Sequence, residues 1–147
     1  MSTVVVGYDG STAARAAVED AVDRAEPVGR LVVVHAYAVP ADFSGASYYA
    51  AMQQDAAAFA ESVLDDLERD CGALATVAYE REVSMGPAAA AIVHAAEVSD
   101  ADEIVVGSRG LGRVRALLGS VAHDVIHRAQ CPVTVIPERM TETPAAA

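Results

Sequence analysis

The residue types most suited to chemistry are concentrated between Glu103 and Val121, in the run E-I-V-V-G-S-R-G-L-G-R-V-R-A-L-L-G-S-V. Glycines stand at Gly107, Gly110, Gly112 and Gly119, Ser120 follows the last of them, and Arg109, Arg113 and Arg115 lie between. Glycine removes the Cβ that would hold an anion off the backbone. A helix that begins after such a loop offers unpaired N–H groups and about half a positive charge. The three arginines add formal charge in a chain that is otherwise acidic. The chemistry this pattern serves is the cradling of a phosphate.

Such a loop works only if rigid elements hold its two ends. Ile104-Val105-Val106 is a short apolar run that reads as a buried strand, and Val121, Val125, Ile126 and Ala129 follow the loop at helical spacing. The same alternation runs through the whole chain. Val4–Gly7 is a β-branched run stopped by Asp9-Gly10-Ser11, with Ser11 placed to cap a helix that carries Ala14, Ala17, Val18, Ala21 and Val22 and stops near Pro27 and Gly29. Leu31–Val34 is apolar without alternation, the mark of a strand covered on both faces, and leads into His35-Ala36-Tyr37. Residues 40–47 read as a loop. Met52, Ala56, Phe59, Val63 and Leu67 mark a long helix, and Thr76–Val83 an exposed strand near an edge.

Gly86-Pro87 predicts a helix with proline at its first position, turning Ile92, Val93 and Ala96 inward. The glycine loop, a helix over Ser120–Ala129 and a last strand over Val133–Ile136 complete the series. Strand and helix alternating throughout demand right-handed crossovers and a mainly parallel sheet with helices on both faces. In such sheets ligands sit beyond the carboxyl ends of the strands, where strand order reverses. Asp9 follows the first strand and Gly107 the fourth, so their loops lie at one end. If those strands are neighbours, the loops wall a single crevice that a nucleotide can span.

The chain has 147 residues, the size of one domain, with a formal charge of −11 and a sequence pI near 4.6. That balance argues against nucleic-acid binding and against adhesion to an anionic membrane. Lysine is absent, which excludes a P-loop lysine. The start of the chain shows neither a basic leader nor a long apolar segment, so neither a signal peptide nor a membrane span is expected, and the cytoplasm is the compartment expected from two cysteines that read as reduced. Cys71 and Cys131 belong to no metal-spaced cluster and read as reduced, buried thiols.

No G-x-S-x-G elbow and no G-x-G-x-x-G occurs. His123 and His127 stand at i, i+4 without a third ligand in view, and read as surface residues. His35, at a strand end, reads as a packed residue rather than a base. His94 sits among alanines on a helix. Ser120 is open to two readings, helix cap or phosphate ligand, and Asp9 to two, turn residue or ligand contact. Arg113 and Arg115 are open in the same way, as ligand contacts or as solvated surface.

Together, V-V-V-G-Y-D-G-S-T at 4–12, H-A-Y at 35–37, A-D-E-I-V-V-G-S-R-G at 101–110, L-L-G-S-V at 117–121 and C-P-V-T-V-I at 131–136 closely resemble the universal stress protein family. The resemblance covers nearly the whole chain. It implies a universal stress protein domain over residues 1–137, with 138–147 as a flexible tail. The implied fold is α/β and Rossmann-like, a five-stranded parallel sheet in the order 3-2-1-4-5, and the implied assembly is a homodimer through the last strand. Nucleotide-binding members carry G-x2-G-x9-G-[S/T]. Here Gly107, Gly110, Gly119 and Ser120 match, but eight residues rather than nine separate Gly110 from Gly119. The missing residue is assigned to Leu111–Ala116, because both flanks are intact.

Carried over residue by residue, the resemblance implies that Asp9 binds the ribose or base and that Ala36 and the Val106 backbone flank adenine. Gly107, Arg109, Gly110, Gly119, Ser120 and Val121 would hold the phosphates of ATP or AMP, with Mg2+ as a possible companion. The implied role is a stress-response sensor that signals to an unknown protein partner, with at most weak ATP hydrolysis. A nucleotide-free member working through dimer and partner contacts is the alternative.

Overall fold

In the computed structural model, which describes residues 2–39, 46–108 and 118–137, the β-branched runs are strands. These are β1 (Thr3–Gly7), β2 (Arg30–Tyr37), β3 (Ala78–Met85), β4 (Glu103–Gly107) and β5 (Val133–Ile136). All pairings are parallel, and the five-stranded sheet has the order β3-β2-β1-β4-β5. The helices between them are α1 (Thr12–Ala25), α2 (Ala46–Asp70), α3 (Ala88–Val98) and α4 (Ser120–Arg128). The α/β architecture and the strand order expected from the sequence are those observed.

The unbroken apolar runs are explained by two cores, one on each face. Val4, Val6, Leu31, Val33 and Val105 pack with α1 and α2 through Ala17, Val18, Leu64 and Leu67. Val5, Val32, Val34, Ile104 and Val106 pack with α3 and α4 through Ala89, Ile92, Ala122 and Val125. A strand buried on both sides gains from apolar side chains at every position, so period-two alternation disappears.

Four details depart from the sequence reading. Ser47 is helical, since α2 starts at Ala46, while residues 40–45 lie outside the described residues. The face that α2 buries is Ala60, Leu64 and Leu67, and Phe59 stands 71% exposed. Leu67 is thus buried as expected, and the buried face turns from Phe59 toward Ala60 and Leu64. Next, β3 starts at Ala78, because Gly72–Thr76 winds into a 3-10 turn in which the Thr76 hydroxyl donates to the Ala73 carbonyl at 2.7 Å. Finally, Pro87 is the N-cap of α3, just outside the first helical position, and Val93 is only half-buried.

At the sheet edge, Arg81 on β3 pairs with Glu61, Asp65 and Glu68 and so ties α2 to its strand. Burial acts to lower the pKa of Arg81, but hydrogen bonds to these carboxylates outweigh it and hold the guanidinium above its ordinary value. Cys71 is buried as expected. Cys131 is only half-buried, because it lies in the short connection between α4 and β5 rather than inside either core.

Candidate functional site

The opening in the sheet follows from strand length and register. Gly7 pairs with Val34 and Val6 with Val105, so β1 ends at a level where both neighbours still have residues to run. Beyond Gly7 the chain leaves the sheet for α1. Adjacent strands are about 4.8 Å apart, so β2 and β4 then flank a gap of about 10 Å. Chain order also reverses here, with β1 leading to β2 on one side while β4 is reached from β3 on the other. The crevice expected at the switch point is therefore present, with β1 and β4 as neighbours.

One wall is the turn after β1. The Asp9 carboxylate accepts from the Ser11 N–H at 2.9 Å, and the Ser11 hydroxyl accepts from the Ala14 N–H at 3.1 Å. Ser11 is thus the N-cap of α1, and Asp9 fixes the turn that presents it. Gly10 has φ +86, which only glycine adopts without strain. Tyr8 is held on both sides: its N–H donates to the Val34 carbonyl at 2.8 Å, and its own carbonyl lies 2.8 Å from Nδ1 of His35. Since that partner is an acceptor, Nδ1 carries the proton. His35 is buried, as expected, and acts as a clamp on the peptide that leads into Asp9.

The other wall runs from the end of β4 to the start of α4. A Cβ on Gly107 would lie 2.9 Å from the Ala13 carbonyl carbon and 3.0 Å from the Ala14 nitrogen, so α1 meets bare backbone here. The Ser108 N–H donates to the Ile136 carbonyl at 2.8 Å, and the Ser108 carbonyl accepts from the Gly119 N–H at 2.7 Å. That last bond joins the two ends of the loop.

Gly119, with ψ 154, is the N-cap of α4, and its carbonyl accepts from the His123 N–H at 3.0 Å. Ser120 is therefore the first helical residue, as the expected helix span had it, and not the cap that was one of its two readings, because the chain is still extended at Gly119. Among the described residues no side chain caps this helix. Its first N–H groups have no intrahelical acceptor.

Of the residues singled out in the sequence, Asp9, Ala36, Val106, Gly107, Gly119, Ser120 and Val121 all lie at the carboxyl end of the sheet. Asp9, Ser120 and Val121 are exposed, Ala36, Gly107 and Gly119 half-buried, and Val106 buried. The side chain of Val106 is 2% exposed and belongs to the core against α3 and α4. Arg109, Gly110, Arg113, Arg115 and the shortened span Leu111–Ala116 fall outside the described residues. On α4, Val121 and Ile126 are exposed, and Ala122 and Val125 make the buried contact.

Sequence reasoning overlooked Ser108 and the His35 clamp. Ser108 acts through its backbone, which leaves no trace in residue type, and the clamp joins residues 27 apart. Among the described residues no three or more His, Cys, Asp or Glu side chains are arranged to hold a metal, and no helix is long and apolar enough to cross a membrane.

This geometry has counterparts among known proteins. A universal stress protein of Thermus aquaticus is 37% identical over 139 residues, covering 91% of this chain and 97% of its own. A universal stress protein crystallised in complex with cAMP is 29% identical, with a TM-score of 0.60 over 94% of this chain and 98% of that one. An Arabidopsis thaliana member with AMP bound has a TM-score of 0.69 over 99% and 97% of the two chains, and at 21% identity it speaks to the fold alone. Residues 1–137 match the universal stress protein family as a whole. With its sheet order, its crevice and this match in agreement, the chain belongs to the universal stress protein family.

Proposed function

We propose that the protein binds an adenine nucleotide, ATP or AMP, in the crevice between the Asp9 turn and the start of α4, and relays its presence to a protein partner as a cytoplasmic homodimer in a stress response. The observation that carries this reading is the bond from the Gly119 N–H to the Ser108 carbonyl at 2.7 Å. It pins the two flanks of the glycine loop side by side, so a loop one residue short of the family pattern still delivers Gly107 and Gly119 to one place. The first turn of α4, which no side chain among the described residues caps, then faces the phosphates with its N–H groups and the positive end of the helix dipole. The cAMP complex of a 29% identical protein supports the ligand class.

In this reading Asp9 accepts from the ribose, and Ala36 with the Val106 backbone flanks the adenine. Gly107, Arg109, Gly110, Gly119, Ser120 and Val121 hold the phosphates. Mg2+ would enter on the phosphates of ATP. Residues 1–137 form the working domain and 138–147 a tail beyond it.

The test is calorimetric titration of ATP, AMP and cAMP, with and without Mg2+, into the parent protein and a Gly110→Glu variant that sets a carboxylate against the phosphates. Saturable binding to the parent, weakened roughly tenfold or more in the variant, is expected, since an unpaired like charge costs over about 1.4 kcal/mol. Failure of all three ligands to bind the parent would contradict the proposal and favour the nucleotide-free member that works through its surfaces.

A further inference from the structure

Away from the crevice, α4 carries two metal-ligating side chains on one face. His123 and His127 are one helical turn apart and both exposed, and their ring centroids are 4.5 Å apart with planes tilted by 60°. We propose that this pair chelates a divalent transition-metal ion of borderline softness, of the Cu2+, Ni2+ or Zn2+ class, with water in the remaining positions. Residues at i and i+4 project from the same side of a helix, so the backbone itself holds the two ligands together. An ion bound at 2.0–2.1 Å by both rings needs the two nitrogens about 3 Å apart. Rings already in contact reach that separation by turning about exposed side-chain torsions.

Imidazole suits this class of ion, whereas Mg2+ and Ca2+ require oxygen ligands that the pair does not supply. The field of a chain with formal charge −11 raises the local concentration of any cation. Asp124, exposed beside His123, adds negative charge on the same helix, opposed by the exposed Arg128. The ion would staple the second turn of α4 to the third. Because Ser120, Val121 and Ala122 form the first turn of that helix, the bound ion stiffens the element whose N-terminus borders the crevice.

The experiment uses full-length protein without an affinity tag or nucleotide, titrated separately with Cu2+, Ni2+, Zn2+ and Mg2+ by calorimetry, with thermal unfolding followed in parallel. One transition-metal ion per chain is expected, tightest for Cu2+, with no uptake of Mg2+. His123→Gln or His127→Gln should weaken binding by roughly a hundredfold, the advantage of a second tethered ligand. Bound ion should raise the unfolding midpoint of the parent and leave that of either variant unchanged. Since both rings are exposed, the metal-free variants should melt with the parent. Equal affinity in parent and variants would place the ion at other side chains and overturn the proposal, as would absence of binding to the parent.

Discussion

At the scale of single residues, the site depends on where a side chain is missing as much as on where one is present. Gly107 presses on the backbone of Ala13 and Ala14, which cannot yield as a flexible side chain can. Gly107→Ala should therefore shift the start of α1 and destabilise the protein by about 1–3 kcal/mol, measured by urea unfolding. Ser11→Ala removes the cap of the same helix and should cost about 1 kcal/mol in the same assay. Both substitutions disturb the Asp9 turn, so nucleotide affinity should fall with stability. The cap at Ser11 and the turn reading of Asp9 were legible in the sequence because turn chemistry and capping are local, whereas the packing of Gly107 against Ala13 and Ala14 joins residues far apart in the chain. The one-residue offset between Gly119 and Ser120 was not legible, since it depends on a single ψ angle that either residue could adopt. Nor was the clamp from His35 to Tyr8, which exists only once β1 and β2 are paired.

At the scale of elements, β1, β2 and β4 were legible because strands covered on both faces write themselves as unbroken β-branched runs, whereas the start of the more exposed β3 was displaced by two residues. The length of α2 was equally plain, but its orientation was not. Of the expected stripe Met52, Ala56, Phe59, Val63 and Leu67, Leu67 is buried as expected, but its buried companions are Ala60 and Leu64, and only contact with the sheet selects them. The difference is measurable. Leu64→Ala should cost about 2–5 kcal/mol in urea unfolding, as expected for a fully buried leucine. Phe59→Ala should stay within about 0.5 kcal/mol of the parent, because that ring is exposed. A large cost at Phe59 would mean that another part of the assembly covers it.

At the scale of the whole molecule, two consequences follow from charge and from sheet edges. Burial raises the pKa of the phenols of Tyr8 and Tyr79 above the ordinary value of 10.0, with Glu68 adding to the effect at Tyr79. A group with a higher pKa folded than unfolded stabilises the fold while it keeps its proton. That contribution is complete below pH 10 and is lost as pH rises through the folded values. The urea midpoint should therefore fall above about pH 10, and less steeply in Tyr8→Phe.

The second consequence concerns β5. The carbonyls of Pro132 and Ile136 accept from Ile104 and Ser108, so by the two-residue alternation Val133 and Val135 turn their backbone groups outward, where a second copy can pair. If the proposed homodimer uses this edge, Val135→Pro should sediment as a monomer while the parent sediments as a dimer. A parent monomer would remove the dimer from the account.

Whether an adenine nucleotide occupies the crevice at the reversal point can be read from amide chemical shifts during titration with AMP. With nucleotide in the crevice, the largest shifts should fall at Tyr8–Ser11, Ala36, Val106–Ser108 and Gly119–Ala122, with the far ends of β4 and β5 unmoved. Shifts centred instead on Ala101, Ala129 and Cys131, at the opposite end of the sheet, or no shifts at saturating AMP, would contradict binding there.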